Sequence, residues 1–225
     1  MIIFGLIGFS AIVGITLAIQ TGWLLLVMGC ACCFIGVFYT FGPIPLSRMP
    51  LGEVFSGVTM GLGIFAITVY LNTYDKKLFF MELDLQHFAI TGSTTAALAV
   101  VWASIPLIAT IANIMLANNL CDLEQDIENH RYTLPFYLGK KNAVILFNLL
   151  MYGSYLAIVI GLITGIYQWP ILITFLSLLK VYPQTKAFTK EQIKHKTFAM
   201  SIKNLVAFNG SYALGLLVTL FWQLI

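Results

Sequence analysis

The sequence predicts an all-α membrane protein, a polytopic helical bundle of about seven transmembrane helices. Three observations predict it. Of 225 residues, 60 % are hydrophobic and 9 % charged, with a mean hydropathy of +0.92, whereas soluble domains sit near about 45–50 % apolar and about 25 % charged. The apolar residues fall in runs of the ~20 residues that a helix needs to cross a bilayer core. The alternating segments of about ten residues that mark a membrane β-barrel are not visible. This composition excludes a water-soluble domain and a disordered chain. A net charge of +3 is too small for a nucleic-acid footprint, so no nucleic-acid partner is expected.

Taken in order, the expected spans run over residues 2–20, 23–41, 54–71, 95–117, 143–165, 167–182 and 202–222. They make residues 1–225 a single transmembrane domain. Gln20-Thr21-Gly22 separates the first two spans, and Gly42-Pro43-Ile44-Pro45 stops the second. Pro106 lies inside the fourth, where neighbouring helices can satisfy the backbone that proline frees. Pro170 sits where a helix can begin without losing a hydrogen bond, and Pro183 follows the sixth span. Trp23, Trp169 and Trp222 fall near span ends, as interfacial anchors do. Between the third and fourth spans, Leu78-Phe79-Phe80-Met81-Glu82-Leu83-Asp84-Leu85 is expected as a short amphipathic helix in the interface plane.

Alternating crossings put Arg48, Arg131, Lys140, Lys141, Lys180, Lys186, Lys190, Lys194, Lys196 and Lys203 on one side, and only Lys76 and Lys77 on the other. The side richer in basic residues is the cytoplasmic one. Met1 is then cytoplasmic and Ile225 external. The chain enters its first apolar run at once, without the positive region of a signal peptide. Cys30, Cys32, Cys33 and Cys121 lie in or beside apolar runs, with no histidine near the first three, and read as packing residues. His87, His130 and His195 read as exposed. Lys186 to Lys196 reads as a positive-inside loop, and Trp102 as core packing.

Four acidic residues crowd one cytoplasmic stretch, Asn118-Asn119-Leu120-Cys121-Asp122-Leu123-Glu124-Gln125-Asp126-Ile127-Glu128. If the fourth helix continues past the membrane boundary, Asn118, Asp122 and Asp126 stand at i, i+4 and i+8 on one face. Two carboxylates one turn apart repel, and desolvation at the bilayer boundary adds to the cost. Something cationic must therefore compensate them. One reading is a solvated loop whose acids pair with Arg131, Lys140 and Lys141. The other is a hard divalent cation such as Mg²⁺, which takes one or two carboxylates and fills its shell with water and phosphate oxygens. Both stay open at this point. Glu124 and Glu128 form a second pair on a different, solvated face.

The stretch resembles the second aspartate motif of UbiA-type intramembrane prenyltransferases: Asn118-Asn119-Leu120-Cys121-Asp122, then Asp126, then Arg131-Tyr132-Thr133-Leu134 and Leu138-Gly139-Lys140-Lys141. Its paired asparagines and basic-x-Thr-Leu ending are most similar to the 1,4-dihydroxy-2-naphthoate branch, which makes menaquinone precursors. Upstream, Tyr39-Thr40-Phe41-Gly42-Pro43-Ile44-Pro45-Leu46-Ser47-Arg48, followed by Leu51-Gly52-Glu53, resembles that family's cytoplasmic loop between its fourth and fifth helices. Asn129-His130 departs from the glycine that the family often carries before the basic residue.

The resemblance implies Mg²⁺-dependent transfer of a polyprenyl group from an allylic prenyl diphosphate to an aromatic acceptor, at the cytoplasmic face of a bacterial cell membrane. Carried over residue by residue, it implies Asp122 and Asp126 as the catalytic, metal-holding pair, with Asn118 on the same face. It implies Arg131, Lys140, Lys141 and Arg48 as diphosphate contacts, and Tyr39 as a polar tip near the cavity mouth. Family members have nine spans and a first aspartate motif, which this sequence lacks; Glu53 stands alone. Matching the two loops makes these seven spans the family's third to ninth. The expectation is a chain without half of the metal-diphosphate clamp, inactive by itself. The competing classes are a transporter whose acids are a cation site and a catalytically dead remnant.

Overall fold

A computed structural model describes residues 2–41, 45–84 and 86–223. Among these, nine α-helices and one two-stranded hairpin form a bundle. Helix α1 (Ile2–Thr21) turns into α2 (Trp23–Thr40) at Gly22, whose φ of 112° favours a residue without a β-carbon. The motif residues Gly42, Pro43 and Ile44, expected to stop α2, lie outside the described residues, as do Met1, Leu85 and Ile225. A 3₁₀ turn, Leu46–Arg48, leads into α3 (Gly52–Lys76). Helix α3 contains a π-helical stretch, Gly57–Gly63, in which Ile64 N–H reaches Thr59 O five residues back.

The segment expected as an interfacial helix is instead a β-hairpin, β1 (Phe79–Leu83) paired antiparallel with β2 (Phe88–Gly92), Met81 opposite Ile90. The correction has a local cause. Asp84 Oδ1 accepts from the backbone N–H of Gln86 and His87, both at 2.7 Å, and closes a turn that a helix would have to break. These donors hold the Asp84 carboxyl below its usual range.

Helix α4 (Thr94–Cys121) is capped by Ser93, whose Oγ accepts from Ala96 N–H. Two short helices, α5 (Leu123–Glu128) and α6 (Leu134–Leu138), lead to α7 (Lys140–Ile163). A 3₁₀ helix, Trp169–Ser177, then winds directly into α8 (Leu178–Lys190), and α9 (Phe198–Trp222) ends the fold. Pro170 occupies the first turn of the 3₁₀ stretch as expected, but the helix runs through Pro183 instead of ending before it.

Six of these helices are long and apolar enough to cross a membrane: α1, α2, α3, α4, α7 and α9. The remaining expected span, 167–182, is not among these six; its region holds Trp169–Lys190, whose second half is polar. At 2.0 Å per 3₁₀ residue and 1.5 Å per α residue it spans about 37 Å, enough for a ~30 Å core. It begins at the far end of α7, and Lys194 just beyond it contacts Asp122 at the near end. The segment therefore traverses the bundle.

Helix α4 is the central post, packed on α3, α7 and α9. Its approach to α3 is backbone-close at Gly57 and Gly61, against Ile108. Met151, Tyr155, Ile158, Ile171, Val181, Phe208 and Tyr212 close a core between α7, the 3₁₀ helix, α8 and α9. Beneath the acidic stretch Leu116, Ala117, Leu120, Ala143, Phe147 and Phe188 form a second core, fully or almost fully buried. Trp102 belongs to the packing, its Nε1–H donating to Ala157 O at 3.0 Å. Trp169 and Trp222 meet edge to face, ring centres 4.9 Å apart and both half exposed.

Candidate cation and diphosphate site

The acidic stretch does not continue α4 without interruption. The helix ends at Cys121, Asp122 takes φ −100° and ψ 5°, and α5 resumes at Leu123. The four-residue step survives nonetheless: Asp122 N–H donates to Asn118 O at 3.0 Å, and Asp126 N–H to Asp122 O at 2.8 Å. The second core lies directly under this break and fixes where it points.

Asn118 Oδ1 and Asp122 Oδ2 converge on a single cation, the ammonium of Lys194, which donates to both. Asp126 is almost buried, and its Oδ1 lies 4.0 Å from Arg131 Nη1. Burial, and then the negative charge of Asp122, push the Asp126 carboxyl above its ordinary value; Arg131 and Lys194 pull it back. Asp122, Gln125, Asp126, Asn129, Arg131 and Arg48 line one polar cleft of about 440 Å³.

Two backbone bonds build that cleft. Arg131 N–H donates to Asp126 O at 2.8 Å, and Tyr132 N–H donates to Arg48 O at 3.2 Å, tying the loop after α2 to the loop after α5. Between them His130 adopts φ 56°. That is the left-handed conformation glycine takes most readily, at the position where the resembling family often carries one. The departure leaves the turn in place.

The other expected contacts stand apart from the cleft. Lys140 and Lys141 are exposed on the first turn of α7 and do not line it. Tyr39 Oη donates to Met115 Sδ at 3.3 Å and lies beside Gly52. Glu53, expected to be alone, is 3 % exposed, and its Oε1 accepts from Asn119 Nδ2 at 2.8 Å. Lys194, Gln125, Asn129 and Asn119 are the site residues that spacing did not reveal. Only the excess of lysine in the loop before α9 hinted at the first.

Glu124, Glu128, His87, His130 and His195 are exposed, as expected. The four cysteines are free, and among the described residues no three His, Cys, Asp or Glu side chains gather. The donor chemistry nevertheless fits one hard divalent cation. Two carboxylates, Asp122 and Asp126, line one cleft, and beside it the Asn118 amide oxygen converges with Asp122 on a positive charge. Two or fewer protein carboxylates leave room in the shell for water and phosphate oxygens. A separate cavity of about 630 Å³, lined by Leu24, Met28, Ile35, Leu62, Val101 and neighbouring apolar residues, lies between α2, α3, α4 and the hairpin.

Residues 2–208 match the model of the UbiA prenyltransferase family. The chain is 28 % identical, over 218 residues, to a 1,4-dihydroxy-2-naphthoate octaprenyltransferase of Bacillus subtilis (strain 168). The match covers 95 % of this chain and 63 % of that protein, so the chain spans less than two thirds of its relative. No solved structure matches.

Proposed function

We propose that this chain, which belongs to the UbiA prenyltransferase family, works in magnesium-dependent transfer of a polyprenyl group from an allylic prenyl diphosphate to an aromatic acceptor. The acceptor we propose is 1,4-dihydroxy-2-naphthoate, which the name of the Bacillus relative supports. One observation carries the reading: Asn118 and Asp122 aim oxygens at a single positive charge, beside a cleft that Asp122 and Asp126 share with two arginines.

The chain's own groups fit each requirement of the chemistry. Asp122 and Asp126, with Asn118, would hold the cation. When bound, the cation supplies positive charge to the departing diphosphate, as a Lewis acid and a template. Arg131 and Arg48 stand on the cleft wall, where guanidinium groups stabilise charge that develops on a leaving diphosphate. The Tyr132–Arg48 backbone bond ties the loop that carries Arg48 to the loop that carries Arg131. The apolar lining between α2, α3 and α4 suits an isoprenoid chain and keeps water from an allylic cation. The excess of basic residues at the cleft end supports a cytoplasmic orientation. Transporter sites lie near the bilayer midplane, whereas this cleft is at the helix ends.

The test uses the chain in membranes with a labelled prenyl diphosphate. The expected result is magnesium-dependent retention of the label, lost in Asp122→Asn and Asp126→Asn. Retention that ignores magnesium and both substitutions would overturn the reading.

A further inference from the structure

We propose that Lys194 is the resident counter-ion of this site: its ammonium occupies the cation position until a divalent metal arrives, and then moves to the diphosphate that the metal brings. The inference rests on the functional reading above and adds a residue and an order of events to it.

The geometry is built for such an exchange. Lys194 lies on the loop between α8 and α9, and that loop is a fixed turn. Ile193 N–H donates to Thr197 Oγ1 at 2.9 Å, and the N–H groups of Thr197 and Lys196 donate to Ile193 O at 2.8 and 3.1 Å. Thr197 is buried. The turn points the lysine back over the Phe198 ring, 4.8 Å from its centre, to Asn118 and Asp122. Lys196, two positions along the same loop, is exposed.

Magnitude decides the direction. The Lys194 side chain is 45 % exposed, and a solvent-accessible ion pair contributes only about 0–1 kcal/mol. It is strong enough to quiet the repulsion between Asp122 and Asp126, and weak enough to be displaced by a double charge. An ammonium has three donors and rotates freely about its flexible stem. Displaced from the carboxylate, it stays within reach of a phosphate oxygen at the same place. Lysine therefore opposes metal binding alone and favours metal and diphosphate together.

Mn²⁺ serves as the probe metal and inorganic pyrophosphate as the probe anion, with the full chain in detergent. Lys194→Met is expected to bind Mn²⁺ up to about fivefold more tightly than the parent when pyrophosphate is absent. Its Mn²⁺-loaded form is expected to bind pyrophosphate about tenfold more weakly. Lys196→Met, which removes the same charge from the same loop, changes neither. Unchanged or weaker Mn²⁺ binding in Lys194→Met overturns the proposal. Unchanged Mn²⁺ binding in Asp122→Asn overturns the functional reading with it.

A second measurement needs no variant. Acylation of the parent chain by an amine reagent, read by mass spectrometry against Lys196, should find Lys194 protected without metal. It should become reactive with Mn²⁺ and protected again with Mn²⁺ and pyrophosphate. Reactivity of Lys194 that is indifferent to Mn²⁺ overturns the exchange.

Discussion

Asn119 Nδ2 donates to Glu53 Oε1 at 2.8 Å, joining side chains 66 positions apart in a place where neither meets solvent. The bond holds the start of α3 to the last turn of α4, one residue from Asn118 and three from Asp122. Glu53→Ala leaves the Asn119 amide buried without an acceptor and is expected to destabilise the fold by about 1–3 kcal/mol. Asn119→Ala costs a similar amount. The double variant should cost less than the sum, by roughly 0.5–1.5 kcal/mol. Reversible unfolding in detergent measures all three, and strictly additive costs would refute the coupling.

Asp126 gives a pH dependence whose sign is fixed by its surroundings. Burial first, and Asp122 second, raise its carboxyl above the ordinary 3.8. The folded chain then binds the proton more tightly than the unfolded chain. Its contribution is fully present below the unfolded value and is lost as pH rises through the folded one. Asp126→Asn should therefore be more thermally stable than the parent near neutral pH, and the advantage should vanish in acid below the ordinary carboxylate range. Thermal unfolding across that range checks it. A variant that is less stable at neutral pH would contradict the assignment of the charge as a cost to folding.

The α3–α4 contact separates two glycines that look alike in sequence. A β-carbon on Gly61 would lie 2.5 Å from Ile108 N and 2.6 Å from its Cα, both backbone atoms that cannot turn aside. Gly61→Ala is expected to force the helices apart at about 1–3 kcal/mol. Gly210, within α9, has nothing within 4 Å of the same construction. Gly210→Ala should be neutral or stabilising by up to about 1 kcal/mol, since alanine is the better helix former. Unfolding midpoints of the two variants, measured side by side, decide it; equal losses would mean the close approach does not exist.

Much of this was legible in the sequence because the bilayer makes it so. Long apolar runs such as 95–117 can only be helices in lipid, and the four-residue step from Asn118 to Asp122 to Asp126 survives even a broken helix. What pairs with those acids was not legible. Arg131 reaches Asp126, but Asp122 meets Lys194, 72 positions away, and no local pattern encodes a contact made by the packing of α9 on α4. Glu53 looked solitary for the same reason. The hairpin was missed because Phe79-Phe80-Met81 reads as an apolar run until Asp84 is seen to close a turn on its own neighbours.

The π-helical stretch Gly57–Gly63 makes α3 one residue longer than its path requires. An α-helix advances about 100° per residue, so this surplus sets the phase between the two ends: Glu53 toward Asn119 at one, Tyr70 donating to Thr21 O at the other. Excising a single residue there would wind the segment back to regular pitch and swing one of those side chains a quarter-turn off its partner. Here the number of residues is itself the information.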